Sequence, residues 1–125
     1  MAFSRMATIL TVDDSASIRR MLTMTLKAAG HDVEQACDGV DGINKAKQKK
    51  YDALLVDVNM PKMDGITMIR QLRGIINYAH TPMLILTTEA SLERKLEGRE
   101  AGATGSMVKP FDPETLVQTL KRVIP

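Results

Sequence analysis

The chain has 125 residues, 17 of them basic and 15 acidic, for a formal net charge of +2. That length fits one domain, and so even a charge balance carries no electrostatic footprint for nucleic acid. A single cysteine excludes an internal disulfide, and neither a secretory leader nor a long apolar span is visible, so a cytoplasmic domain off the membrane is expected.

Residues 1–6 read as a tail without pattern, and residues 7–125 as one domain. With 44% hydrophobic residues but only 3% aromatics, its core is expected to be aliphatic, with nine methionines as adaptable filler. Ala7 to Val12 is a strand-like run that ends on Asp13-Asp14. Ser15 to Ala29 places Ile18, Met21, Leu22 and Leu26 at helical spacing, and Gly30 suits the position just past the helix. Val33 to Cys37 is a second strand, Asp38-Gly39 a turn, and Val40 to Lys49 a helix with a lysine-rich outer face. Ala53 to Val56 is a buried-strand pattern ending on Asp57, followed by a loop with Pro61, Asp64 and Gly65. Gly65 to Ile76 is a helix with Ile66, Ile69, Leu72 and Ile76 on one stripe. Pro82 to Leu86 is a fourth strand ending on Thr87-Thr88. Ser91 is placed to cap the next helix, with Glu93 in its first turn. Gly102 and Gly105 punctuate that helix's end, and Ser106 to Val108 is a fifth strand ending on Lys109-Pro110. Asp112 and Pro113 open a last helix striped by Leu116, Leu120 and Val123. Strands alternating with helices predict an α/β fold with helices on both faces of a parallel sheet. The chain ends with this last helix, so no attached output domain is expected.

The residues that end the strands are Asp13 and Asp14, Asp57, Thr87 and Lys109. In a parallel sheet they share one edge, the edge where open α/β sheets bind ligands. Two carboxylates about 4 Å apart repel by about 4 kcal/mol at an effective dielectric of about 20. Lys109 offsets part of that, and a divalent cation would offset the rest. Oxygen ligands without nearby His or Cys suit Mg²⁺. Singly, each residue has a plainer reading: helix caps for Asp13 and Asp14, a turn for Asp57, a strand end for Thr87, a solvated lysine for Lys109. Neither a P-loop nor a dinucleotide fingerprint occurs. His31 and His80 read as surface residues, Cys37 as a small buried one, and Lys45 to Lys50 as a solvated helix end.

The Asp13-Asp14 pair, Asp57 with Met60-Pro61-Lys62-Met63-Asp64-Gly65, Thr87, and Lys109-Pro110-Phe111 resemble the markers of response-regulator receiver domains, in order and spacing, over nearly the whole chain. Among these the chain is most similar to the stand-alone, CheY-like chemotaxis regulators. The resemblance implies a single doubly wound, flavodoxin-like sheet of order 2-1-3-4-5 flanked by five helices, with residues 7–125 as the receiver. It implies a phosphoacceptor signalling protein rather than an enzyme. Asp57 would accept a phosphoryl group from a CheA-like histidine kinase. Mg²⁺ would be held by Asp13, Asp14, Asp57 and the Asn59 backbone carbonyl, with Asp13 acting through water. Lys109 and Thr87 would contact the phosphoryl group, and Lys109-Pro110 would be cis. Asn59 and Glu89, two residues beyond Asp57 and Thr87, imply rapid dephosphorylation. The expected partners beyond the kinase are a flagellar motor switch protein or a phosphatase, and the expected state is a monomer. Two positions depart from the chemotaxis pattern. Ser106 stands where Tyr or Phe is usual, and Thr88 where a smaller residue is. A serine cannot fill or vacate an aromatic pocket, which favours the alternative of a phosphate sink or relay intermediate. A haloacid-type phosphatase would need an acid where Asn59 stands. A flavodoxin would need aromatic residues for stacking a flavin, which this chain scarcely has.

Overall fold

The computed structural model describes residues 6–88 and 92–124. In chain order the elements are β1 (Thr8–Val12), α1 (Ala16–Ala28), β2 (Asp32–Ala36), α2 (Gly39–Gln48), β3 (Ala53–Asp57) and α3 (Gly65–Arg73). A short 3-10 turn (Ile76–Tyr78) follows, then β4 (Met83–Thr87), α4 (Leu92–Ala101), β5 (Gly105–Val108) and α5 (Pro113–Val123). All strand pairs are parallel and the order is β2-β1-β3-β4-β5, as expected for a doubly wound sheet.

Alternate residues of the central strands point to opposite faces. Leu10, Val12, Leu54, Val56 and Ile85 pack with Ile43, Ala46, Met68, Ile69 and Leu72 on one face. Ile9, Ala53, Leu55, Leu84 and Leu86 pack with Leu22, Leu26, Leu116 and Leu120 on the other. Short polar side chains begin the helices by accepting otherwise orphaned backbone N–H groups. Ser15 accepts from Ile18, Asp38 from Asp41, Asp64 from Thr67, and Asp112 from Thr115 with Pro113 in the first turn. Ser15, not Asp13 or Asp14, is therefore the cap of α1, and Gly30 follows α1 with φ 96°.

Several sequence expectations are corrected. α3 stops at Arg73 with Gly74 as its cap, so Ile76 leaves the stripe and is 89% exposed. Cys37 is exposed, because it lies just past the edge strand β2, where one flank has no neighbour. His31 is buried, its Nδ1 accepting the Ala7 N–H at 3.1 Å, whereas His80 is exposed as expected. Methionine fills the core only in part: Met68 and Met83 are fully buried, but Met6, Met21 and Met24 are exposed. The lysine run is not wholly solvated either, since Lys50 sits 4.3 Å over the Tyr78 ring. Ser91 and Glu89 lie outside the described residues.

Candidate functional site at the carboxyl ends of the strands

Because the strands are parallel and in level register, their carboxyl ends meet at one edge. Val12 pairs with Val56, Asp57 with Leu86, and Thr87 with Val108. The residues expected to converge there do so. Asp13 is fully buried, Asp14 exposed, and Asp57 and Thr87 are 5% and 3% exposed. Carboxylate oxygens of Asp13, Asp14 and Asp57 lie within 4.8 Å of one another. Lys109 enters from the end of β5 and donates to Asp13 Oδ2 at 2.7 Å and Asp57 Oδ1 at 3.2 Å. Its backbone N–H donates to the Thr87 carbonyl at 2.7 Å, and the Lys109-Pro110 bond is cis.

The backbone around the acids is tied at each step. The Val58 N–H donates to the Leu86 carbonyl, and the Gly65 N–H returns to the Val58 carbonyl at 3.0 Å. Gly65 runs so close to β3 that a Cβ there would stand 2.2 Å from the Asp57 carbonyl oxygen. Lys62, in the left-handed region at φ 68°, reaches Asp38 at 3.6 Å and joins this loop to α2. Asn59 and Thr88 are exposed beside the pocket, and Ser106 is exposed on β5 opposite Ile85.

Burial first, and then the charge of Asp13, push the Asp57 carboxyl up to about 6, with Lys109 holding it back in part. For Lys109, burial works against the charge, but the hydrogen bond and charge of Asp13 and the charge of Asp57 outweigh it, so the ammonium is held above its ordinary range. One lysine thus leaves the carboxylates under-compensated. An oxygen-only donor set with surplus negative charge fits a hard divalent cation of the Mg²⁺ type. Two residues that bear on the site were not singled out from the sequence. Arg19 Nη1 donates to the Asp13 carbonyl at 2.6 Å, and its Nε donates to Gln35 Oε1 at 3.2 Å. No sequence signal marks that pair, because it depends on the residue-by-residue register of β1 with β2, which pairs Thr11 with Gln35.

A buried acid at the end of β3, two more acids after β1 and a lysine after β5 form an acidic pocket of the cation-binding type on a doubly wound sheet. Residues 9–121 match the response regulator receiver domain family, and the chain belongs to that family. It is 50% identical to chemotaxis protein CheY4 of Vibrio cholerae, whose structure superposes with a TM-score of 0.92 over 95% of this chain and 99% of that one. It is 39% identical over 119 residues to Protein PilH of Pseudomonas aeruginosa, covering 95% of this chain and 98% of PilH. The transcriptional regulator RpaA of Synechocystis is 34% identical over 95% of this chain, which spans only 49% of RpaA's length. The receiver domain of the Pseudomonas aeruginosa sensor kinase PA1611, 28% identical with a TM-score of 0.89, covers 96% of this chain and 98% of its own. It was solved with a magnesium ion coordinated in its active-site cleft. The chain is thus a CheY-like receiver of two-component signalling, with an acidic pocket suited to Mg²⁺. No helix among the described residues is long and apolar enough to cross a membrane.

Proposed function

We propose that this protein is a cytoplasmic, monomeric response regulator phosphorylated on Asp57 by a CheA-like histidine kinase, and that its phosphorylation state controls partner binding in chemotaxis-type signalling. The observation that carries the reading is the Lys109 ammonium between Asp13 and Asp57, beside a third carboxylate. A carboxylate oxygen of Asp57 attacks phosphorus, an O–P bond forms, the donor's N–P bond breaks, and the histidine nitrogen keeps the electron pair. Such transfer asks for positioning and charge neutralisation rather than elaborate covalent chemistry. Lys109, already aimed at Asp57, contacts the incoming phosphoryl oxygens as a point charge. Thr87, at the adjacent strand end, hydrogen-bonds the group once it is in place. Asp13, Asp14, Asp57 and the Asn59 carbonyl would hold Mg²⁺, which supplies further neutralisation of phosphoryl charge. Asn59 and Glu89 favour a short-lived phosphoaspartate.

Similarity to the chemotaxis protein CheY4 supports a chemotaxis-type pathway. The output partner is a flagellar motor switch protein or a phosphatase. Ser106 favours a second reading, a phosphate sink or relay intermediate, because it offers no aromatic ring to couple Thr87 to an output surface. Incubation with acetyl phosphate and Mg²⁺, followed by intact mass, tests the core of the proposal. The wild type gains one phosphoryl group and loses it within minutes, and Asp57→Asn gains none. Equal labelling of both proteins, or a half-life of hours, would contradict it. Binding of the phosphorylated form to a motor switch peptide separates motor output from the sink.

A further inference from the structure

We propose that Arg19 is a positioning residue that sets the cation affinity of the pocket by fixing the peptide between Asp13 and Asp14. This rests on the reading of the acidic pocket as a Mg²⁺ site. Asp13 is held at every polar atom. Its N–H donates to the Ala36 carbonyl at 3.2 Å, Oδ1 accepts from the Ser15 N–H at 2.9 Å, Oδ2 accepts from Lys109, and its carbonyl accepts from Arg19 at 2.6 Å. The Arg19 bond differs in kind from the other three. It fixes the plane of the Asp13-Asp14 peptide, and so the direction in which the exposed Asp14 leaves the backbone. Arg19 is itself steadied by a second bond, from Nε to Gln35 on the neighbouring strand. The planar guanidinium makes both bonds at once, which an ammonium cannot. Removing such a support typically weakens metal affinity about 10- to 100-fold.

The sign of the effect separates this role from bulk charge. Arg19 is a cation beside a cation site, so deleting its charge alone would tighten Mg²⁺. Loss of positioning would weaken it. Calorimetric Mg²⁺ titration of wild type, Arg19→Gln, Arg19→Lys, Gln35→Met and Arg20→Gln decides between them, with melting in EDTA recorded for each. Arg19→Gln is expected to raise Kd by about 10- to 100-fold, Arg19→Lys to fall in between, and Arg20→Gln to match wild type. An unchanged or lower Kd in Arg19→Gln, or an equal shift in Arg20→Gln, overturns the proposal. Should Arg19→Gln fail to fold, Gln35→Met decides: it keeps the arginine's charge, so a raised Kd supports the proposal and an unchanged one overturns it. A wild type that binds no Mg²⁺ removes the pocket reading itself, and this inference with it.

Discussion

Lys109 carries a conflict that no other side chain of the pocket can resolve. It is largely buried, it joins two acids, and without it the repulsion between those acids is uncompensated. Breaking a buried ion pair by removing one partner costs about 3–5 kcal/mol. Lys109→Met is therefore expected to lower unfolding free energy by about 3 kcal/mol in EDTA. Millimolar Mg²⁺ should restore much of this, because a ligand bound only by the folded state stabilises it. Urea melts with and without Mg²⁺ check this, and an equal loss in both conditions would argue against the cation. His31 makes a separate prediction. Burial first, and the charge of Lys121 second, lower its pKa, and the Nδ1 that accepts from Ala7 must be unprotonated. The folded state thus binds its proton less readily than the unfolded chain does. The contribution of neutral His31 is whole above the ordinary value of about 6.5 and is lost as pH falls below it. Between about pH 7.5 and 5.5 the wild type should lose more stability than His31→Asn, and parallel slopes would refute the assignment.

At the scale of elements, the junction of β3 and α3 governs where Asp57 sits. The helix can start beside the strand only because residue 65 lacks a side chain. Gly65→Ala is expected to cost about 1–3 kcal/mol, in the range of overpacking, and to slow phosphorylation by shifting Asp57. Gly74→Ala, whose Cβ would meet only Gln71 O at 3.3 Å, is the milder comparison. Melting and acetyl phosphate labelling of both variants check this. Much of this scale was legible beforehand. Strand ends and caps are local signals, and parallel pairing then forces Asp13, Asp57, Thr87 and Lys109 together. What was illegible depends on neighbours remote in sequence. Residue type alone suggests a buried Cys37, and nothing local to it says that the chain leaves the sheet one residue earlier, at Ala36. Nor can periodicity say that the short α1–β2 loop tucks His31 under Ala7. The spacing of Ile76 continues the stripe and predicts it within α3, but Gly74 gives the chain a cheap exit at Arg73. Arg19 and Gln35, sixteen residues apart, look like two ordinary surface side chains until the register of Thr11 with Gln35 sets them together.

Across the whole molecule, the two ends of the sheet differ in kind. One end gathers the acids and Lys109. The other is closed by side-chain crosslinks: Asp52 accepts the Thr8 N–H, Lys50 donates to the Asn77 carbonyl and the Thr81 hydroxyl, and Arg73 clasps the carbonyls of Tyr78 and Gly102. Ile124, just past α5, lines the same cleft as Asp52 and Lys50. The first strand therefore enters, and the last helix leaves, at the end away from the pocket. A fluorescent reporter fused at either point would stand off from Asp57 by the length of a five-residue strand, ~16 Å. Traffic at the acidic mouth, whether of donor, cation or departing phosphate, would pass unobstructed.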